Sequence, residues 1–229
     1  YCIIPDLRGS YRSVPMERLI EEAKQLASQG VKELILVAQE TTLYGIDLYK
    51  KKSLPKLLHE LCKIPGIQWI RIQYCYPEEI TDELIQVMKE ESKICHYLDL
   101  PIQHANDTIL KRMGRRTSKQ ELIDIVQKLR KEIPDICLRT TLITGFPGET
   151  QEEFETTCAF AKEVGFAQIH VFKYSRRAGT KAAAMTDQIP EQEKGVRSDR
   201  LLALEQKMSE EFRKGFLGEK VSVLFEEMI

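Results

Sequence analysis

The sequence predicts an α/β fold with parallel strands, and two observations carry this prediction. First, apolar positions alternate along the chain between the helical period and short, nearly continuous apolar runs rich in β-branched residues. Second, a strand segment follows each of five helix segments, and strands reached through helices pair in parallel with right-handed crossovers. Because the strands lack a polar alternate face, the fold is either a barrel or a doubly wound sheet that helices cover.

The first helix and strand set the pattern for the rest of the chain. Residues 14–30 have amphipathic helical spacing and end at Gly30, a residue type common at helix C-termini, and residues 31–39 form a short apolar run. Four units of the same kind follow. Their helices are residues 54–64, 81–91, 118–133 and 151–164, and their strands are residues 67–74, 95–103, 136–144 and 166–175. A long charged helix is predicted over 190–216, and residues 218–229 alternate like an edge strand that has no partner in this chain.

Composition and charge exclude several classes of protein. The 229 residues are 42% hydrophobic, enough for a substantial core. With 34 basic and 35 acidic residues the net charge is -1, so contact with nucleic acid or an anionic membrane requires a local patch. No apolar run approaches the roughly 20 residues of a membrane span, and no signal peptide is evident, so we expect a cytoplasmic protein without membrane contact. Six irregularly spaced cysteines predict reduced thiols.

Polar and glycine-bearing segments follow the strands, at the end where parallel α/β folds bind ligands. In chain order they read QETTLYG, YPEE, PIQHAND, GFPGET and YSRRAGT. The loops at the opposite ends of the strands, such as SQGVK and IPGIQ, are short and chemically plain. This asymmetry predicts a ligand site at the carboxyl ends of the strands.

The GFPGET segment has two interpretations. Its glycines lie between a strand and a helix, but it lacks the Gly-Lys-Ser/Thr ending that grips nucleotide phosphates. In one interpretation Gly145 and Gly148 let the backbone approach a nucleoside closely. In the other the segment is a turn in which Thr150 caps the next helix.

Two further residues at or near these ends also have a functional and a structural interpretation. His104 is a ligand, an acid or base, or a capping polar residue. Arg139 lies inside an apolar strand and needs an anionic partner. That partner is either a structural carboxylate, such as Asp99 or Glu40, or the carboxylate of a ligand.

Paired arginines flank the same end of the predicted sheet. Arg115 and Arg116 lie in MGRRT, and Arg176 and Arg177 lie in YSRRAGT. Such pairs are usually solvated surface, but at this position they also suit a polyanion such as ribosomal RNA.

Read together, these segments resemble the radical S-adenosylmethionine (radical SAM) methylthiotransferase family. Those enzymes carry C-x-x-x-C-x-x-C, with the last cysteine in Tyr-Cys-x-x-Pro before an Arg-Gly-x-x-Arg-Ser loop, and Cys2 stands in that phrase in YCIIPDLRGSYRS. Similarity continues through AQETTLYG, YLDLPIQHAND, MGRRTSKQE, RTTLITGFPGETQEEFE, KYSRRAGTKAA and QIPEQEK. In AQETTLYG, PIQHAN and the Gly-Arg of MGRRT the chain resembles the ribosomal-protein branch, the RimO type, rather than the transfer-RNA branch.

The resemblance implies a partial (βα)6 TIM-like barrel of the radical SAM type, with parallel strands and with its first strand missing from this chain. It assigns residues 1–217 to the radical SAM core and residues 218–229 to the start of a truncated C-terminal, TRAM-like domain.

The resemblance also implies an enzyme that adds a methylthio group to the β-carbon of an aspartate of ribosomal protein S-twelve, on the small ribosomal subunit and in contact with ribosomal RNA. In that family three thiolates hold a four-iron four-sulfur cluster whose open iron binds S-adenosylmethionine, and its reductive cleavage yields a deoxyadenosyl radical. A second, auxiliary cluster belongs to an amino-terminal domain that this chain lacks. Two alternatives stay open: a transfer-RNA methylthiotransferase of the same family, and a non-catalytic barrel module that binds a nucleoside or RNA.

The resemblance assigns one cluster ligand and a set of cofactor-binding residues, and it assigns no separate catalytic residue. The metal ligand is Cys2, one of three. The cofactor-binding residues are Gln39 and Glu40 beside the methionyl amino group, Gln103 in the pocket wall, Arg139 on a carboxylate, and Gly145, Glu149 and Tyr174 beside the adenosine. Because one cysteine cannot hold the cluster, we expect this chain alone to be inactive.

Overall fold

A computed structural model describes residues 1–225 and shows one sheet of five parallel strands in the order β1-β2-β3-β4-β5. The strands are β1 (Glu33–Leu36), β2 (Trp69–Ile72), β3 (Ile94–Gln103), β4 (Cys137–Thr144) and β5 (Gln168–Lys173). The predicted parallel pairing is confirmed. Because the strand order never reverses, every right-handed crossover runs in the same direction and the helices cover one face, which is the topology of a barrel and not of a doubly wound sheet.

Nine α-helices precede, connect and follow these strands within the described residues. They are α1 (Ile4–Arg8), α2 (Met16–Ser28), α3 (Ile46–Tyr49), α4 (Leu54–Cys62), α5 (Asp82–Glu90), α6 (Asp107–Met113), α7 (Lys119–Glu132), α8 (Gln151–Val164) and α9 (Glu191–Lys214). All six predicted helices form. The short helices α1, α3 and α6 lie in segments for which no helix was predicted.

The two faces of the sheet have different chemistry. On β4, Leu138 and Leu142 are buried against the helices, in the main apolar core. The alternate position Arg139 lies on the opposite face, since side chains alternate along a strand. On that uncovered face Arg71 Nε lies 2.6 Å from a carboxylate oxygen of Glu33, on the neighbouring strand. The uncovered face is therefore polar and lined with charged pairs.

One edge of the sheet is open within the described chain. β1 pairs only with β2, through four residue pairs, and Ile35 on it is 50% exposed. An unpaired edge beside an exposed apolar side chain agrees with a barrel in which a neighbouring strand is absent.

Two expectations about the ends of elements need correction. β1, β2 and β5 are shorter than predicted because the outer residues of each apolar run do not join the ladder. Residues 219–225 form no strand, although their alternating pattern predicted one, since a strand requires a neighbour to hydrogen-bond with. Residues 226–229 of that prediction lie outside the described residues.

The helix α9 packs against β5, β4 and α8, and so reaches the loop that joins β4 to α8. Across residues 1–225 the helices are all too short or too polar to cross a bilayer.

Candidate functional site

At the carboxyl ends of three neighbouring strands, one residue each has a positive φ, in the left-handed region of backbone conformation. Tyr74 after β2 has φ 57°, Gln103 at the end of β3 has φ 72°, and Gly145 after β4 has φ 69°. Side chains other than glycine adopt this region at a cost, and such residues concentrate at functional sites. Pro101 adds to the irregularity: it has no N–H for the ladder, and the β3–β4 register shifts between Leu100 and Gln103.

Cys2 lies beside the loop that carries GFPGET. Its neighbour Tyr1 packs edge-on against Phe146, with ring centroids 6.3 Å apart, and Phe146 packs against Tyr174 at 5.3 Å. These rings belong to a small apolar cluster, separate from the main core, that includes Ile109 and Met113 of α6, among others. Cys2 itself is exposed, and its Sγ accepts a long hydrogen bond from the backbone N–H of Ile4 at 3.4 Å. The packing of Tyr1 therefore brings Cys2 to the loop that follows β4, and its role as a cluster ligand stays a prediction.

Gln39 and Glu40 follow β1 but point to different surroundings. Gln39 is exposed and lines a cleft of about 690 Å³, together with residues 8–14. Glu40 is buried, and its carboxylate accepts hydrogen bonds from the Tyr76 N–H at 2.9 Å and from the Thr42 N–H at 3.0 Å. Burial is the largest influence on it and raises the pKa of Glu40 to about 7.

Gln103 and Arg115 meet over one carbonyl. Gln103 is half-buried, and its Nε2 donates to the Pro101 carbonyl at 3.3 Å, while Arg115 Nη2 donates to the same oxygen at 2.6 Å. The Arg115 guanidinium lies 4.4 Å from the ring centre of Tyr76. Burial raises the pKa of Tyr1 to about 12, and the positive charge of Arg115 acts in the opposite direction. The Arg115 guanidinium therefore lies close to Tyr1 and the segment that carries Cys2.

Arg139 has a structural partner. Its Nη1 donates to Asp99 at 2.8 Å, and its Nη2 lies 2.7 Å from His170. Asp99 is fully buried, and burial raises its pKa although the Arg139 charge lowers it. Burial, followed by the charge of Arg139, lowers the pKa of His170. Of the two carboxylates proposed from the sequence, Asp99 is the partner and Glu40 is not; the predicted contact of Arg139 with a ligand stays a prediction.

In the GFPGET loop the capping interpretation is confirmed, and the close approach to a nucleoside stays a prediction. Thr150 caps α8 in a capping box with Glu153, and Gly145 and Gly148 both have positive φ. A Cβ at Gly145 would collide with the side-chain carbons of Lys194, so this position needs glycine for space as well as for conformation, whereas one at Gly148 would meet only the flexible side-chain ends of Asp187 and Arg112.

Glu149 and His104 lie inside the protein rather than beside the open site. Glu149 accepts hydrogen bonds from the Gly145 N–H at 2.6 Å and from Arg197 at 2.6 Å, and His104 Nε2 lies 2.9 Å from its other oxygen. His104 Nδ1 accepts the Asn106 N–H at 3.0 Å, which leaves Nε2 to donate to Glu149. The Glu149 side chain is fully buried, so the part of this loop that can lie beside a ligand is its backbone and not the Glu149 carboxylate.

Several buried polar atoms at these strand ends have no partner within the described chain. They are Glu78 Oε2, Arg115 Nε, Thr117 Oγ1, Thr144 Oγ1 and the Tyr174 hydroxyl. Buried polar atoms are nearly always hydrogen-bonded in native proteins, so each such atom points to a missing partner. Together with the two glycines, these atoms suit a polar ligand that lies across the ends of β3, β4 and β5.

Of the three cluster ligands that the resemblance implies, the chain offers one candidate, Cys2. Of the free cysteines, Cys2 is exposed at this end, while Cys75 at the end of β2 is buried and its pKa is raised by burial. Among residues 1–225, no three His, Cys, Asp or Glu side chains lie together so that they hold a metal ion. The residues present fit a single thiolate ligand and do not by themselves hold a four-iron cluster.

The sequence did not predict a role at this site for two residues that contact it. Lys194 and Arg197 lie on the helix that the sequence presents as long and charged, yet both are buried against the GFPGET loop. The sequence does not indicate that Lys194 and Arg197 are buried, because the helical turns around them resemble those of a solvent-exposed helix.

Comparison with known proteins agrees with this geometry. The model of the radical SAM superfamily matches residues 1–161. The chain is 61% identical to the ribosomal protein uS12 methylthiotransferase RimO of Lachnoclostridium phytofermentans and 53% identical to that of Clostridium perfringens, each over 99% of this chain and 51% of the relative. The chain thus spans about half the length of these curated relatives.

Solved structures share the fold at low sequence identity. Coproporphyrinogen III oxidase (HemN) of Escherichia coli superposes with a TM-score of 0.61 at 18% identity, over 84% of this chain and 46% of that chain. The radical S-adenosylmethionine methyltransferase TsrM of Kitasatospora setae, whose structure holds cobalamin and a four-iron four-sulfur cluster, superposes with a TM-score of 0.56 at 16% identity, over 71% of this chain and 31% of that chain. With a family model that covers more than half of its residues, this chain belongs to the radical SAM superfamily.

Proposed function

We propose that this chain is the cofactor-binding core of a methylthiotransferase that adds a methylthio group to the β-carbon of an aspartate of ribosomal protein S-twelve. The observation that carries the proposal is the packing of Tyr1 on Phe146, which sets Cys2 beside the glycine loop at the strand ends. The two RimO relatives, which match over nearly all of this chain, support the choice of reaction and substrate.

Membership of the superfamily implies a four-iron four-sulfur cluster and S-adenosylmethionine as cofactors. When bound, they supply the reductive chemistry that produces a hydrogen-abstracting radical. In the proposal Cys2 provides one of the three thiolate ligands, and an auxiliary cluster is held elsewhere in the full-length enzyme.

The side chains of this core bind and orient the cofactor. Gln39 faces the open cleft and is placed to meet the methionyl group, while Glu40 holds the backbone of β2's carboxyl end through Tyr76. Gln103 and the unpartnered Nε of Arg115 line the neighbouring wall. Asp99 already pairs with Arg139, so Arg115 is the better partner for the ligand carboxylate. In the proposal Arg139 helps to orient the strands behind this part of the site.

The adenosine end of the cofactor is assigned to the next two strands. Gly145 and its loop offer backbone without a side chain, and Tyr174 offers a buried hydroxyl that lacks a protein partner. The apolar rings of Phe146 and Tyr1 exclude water from one side of this position.

The proposed partner is the small ribosomal subunit, with S-twelve as substrate and ribosomal RNA in contact with the rim. Arg116, Arg176 and Arg177 are exposed at the strand ends, where guanidinium groups suit phosphate. A ribosomal substrate implies a cytoplasmic location. The proposed domain division remains residues 1–217 for the core and 218–229 for the start of a TRAM-like domain.

Mass spectrometry of S-twelve from a strain that lacks the full-length protein tests the function. Complementation with the wild type should restore the methylthio group, Cys2→Ala should not, and Cys95→Ala should, because Cys95 lies at the amino end of β3. A methylthio group that persists in the deletion strain, or that Cys2→Ala restores, would contradict the proposal. Loss of a methylthio group from transfer RNA instead would assign the chain to the other branch.

A further inference from the structure

The helix α9 contributes two buried cationic residues to the glycine loop at the end of β4. It begins at Glu191, thirty residues beyond the end of the superfamily match at residue 161. Its residues Lys194 and Arg197 are 8% and 3% exposed, which is rare for these side chains unless they are paired. Both face residues 145–149.

Arg197 ties the loop to α9 through two kinds of contact. Its Nη1 donates to the Glu149 carboxylate at 2.6 Å and to the Glu149 carbonyl at 2.8 Å, and its Nη2 pairs with Glu193 on α9 itself. The same Glu149 carboxylate accepts the Gly145 N–H at 2.6 Å. The guanidinium therefore holds both ends of the loop through one carboxylate.

Lys194 covers the loop from the same side. Its side-chain carbons occupy the space that a Cβ at Gly145 would need. Its Nζ donates to the Tyr174 carbonyl at 3.1 Å and lies 5.4 Å from the Tyr174 ring centre. One side chain thus joins the end of β4 to the end of β5.

His104 completes the set of contacts from β3. Its Nε2 lies 2.9 Å from Glu149, and its position is fixed by the Asn106 N–H at 3.0 Å and the Thr157 hydroxyl at 3.0 Å. The loop is therefore held by β3, β4, β5 and α9 at once, through a network whose buried charges are all paired.

We propose that Lys194 and Arg197 are positioning residues for the cofactor, and that α9 is a working part of the adenosine site. By fixing Gly145 through Glu149, Arg197 sets the position of the loop backbone, and this position determines the affinity for the adenosine half of S-adenosylmethionine. The inference rests on the proposed function, since that function places the adenosine at this loop.

Arg200, one turn further along α9, provides a matched control. It also pairs with a carboxylate of α8, Glu155, at 2.5 Å, and like Arg197 it lies over the ring of Phe154. Its side chain is 49% exposed, and within the described residues the Glu155 carboxylate accepts hydrogen bonds from Gln151 and Arg200 and not from the loop backbone. Replacing Arg200 removes one ion pair of α9 and replacing Arg197 removes two, with Glu149 and Glu193, but only the change at Arg197 frees the loop.

The experiment measures equilibrium binding of S-adenosylmethionine to the reconstituted full-length protein, beside amide hydrogen exchange of residues 145–149. Arg197→Met should weaken binding by about tenfold or more and speed exchange in the loop, and Arg200→Met should stay within about twofold of the wild type in both. Arg197→Lys keeps the buried charge and the fold, and should recover part of the affinity.

Binding by Arg197→Met or Arg197→Lys at wild-type affinity, or an equal loss in Arg200→Met, would overturn the inference. If the wild type itself binds no S-adenosylmethionine, the proposed function fails. Hydrogen exchange then decides the positioning role alone: faster exchange confined to the Arg197 variants supports it, and unchanged exchange overturns it.

Discussion

The carboxyl group of Glu40 gives a pH-dependent stability that can be worked out from the structure. Burial raises its pKa from 4.5 to about 7, against the hydrogen bonds from Thr42 and Tyr76, which lower it. Between these two values the folded protein holds a proton that the unfolded chain has released, so the free energy of unfolding falls as pH rises. For this shift the fall between pH 5 and pH 8 is about 2 to 3 kcal/mol.

The variant Glu40→Gln removes this titration with little change in shape. Its amide oxygen still accepts from the Thr42 N–H, 3.0 Å from Oε1, and from the Tyr76 N–H, 3.2 Å from the same atom. We expect the free energy of unfolding of the variant, relative to wild type, to rise by about 2 to 3 kcal/mol between pH 5 and pH 8, which raises its Tm relative to that of the wild type.

Thermal unfolding of the full-length protein across this pH range measures the effect, and Glu121→Gln is its control. Hydrogen bonds from Ser118 lower the pKa of Glu121, so its stabilisation is present above its unfolded pKa and is lost as pH falls. Because this loss sets in only near and below the unfolded pKa of 4.5, the difference between the control variant and wild type should stay nearly constant between pH 5 and pH 8. A difference between Glu40→Gln and wild type that stays constant with pH would refute the reasoning.

Two further predictions concern the strand ends. Arg139→Met leaves the buried Asp99 unpaired and should lower the free energy of unfolding by about 3 to 5 kcal/mol in denaturant titrations, whereas adding Asp99→Asn should recover part of the loss. Gly114→Ala and Gly145→Ala both strain a positive φ, at about 1 kcal/mol, but of these two only the Cβ at Gly145 meets other atoms, the side-chain carbons of the buried Lys194. We expect a clearly larger drop in Tm for Gly145→Ala, and equal drops would show that the crowding there is unimportant.

The topology could be predicted from sequence because helix and strand patterns alternate without interruption. Once each strand follows a helix, right-handed crossovers leave few arrangements, and the order from β1 to β5 is among them. The lengths of the strands could not be predicted in the same way. An apolar run records burial, whereas a strand ends where its partner stops, as β1 does at Leu36 opposite Ile72.

The site could be predicted only in part. The placement of the five loops at one end followed from the parallel strands, but the position of Cys2 beside the loop after β4 did not, because it depends on the packing of Tyr1 on Phe146. The direction in which each side chain points could not be predicted either. Gln39 and Glu40 are adjacent in sequence, yet one faces a cleft and the other faces the protein interior. No pattern in the sequence indicates that Arg197 is buried while Arg200, three residues on, is exposed.

Buried carboxylates mark the strand ends and are stabilised there in three different ways. Glu40 relies on backbone N–H groups and a raised pKa, Asp99 on Arg139, and Glu149 on Arg197, His104 and the Gly145 N–H. A buried ion pair adds little net stability compared with apolar packing, so stability alone does not account for such groups after β1, inside β3 and after β4. What they share is that each fixes a backbone segment at the rim: Tyr76, Tyr74 or Gly145 donates an N–H to one of them. These hydrogen bonds fix the backbone at the carboxyl ends of the strands from the protein interior. The solvent-facing side of the same backbone is therefore free to bind a ligand.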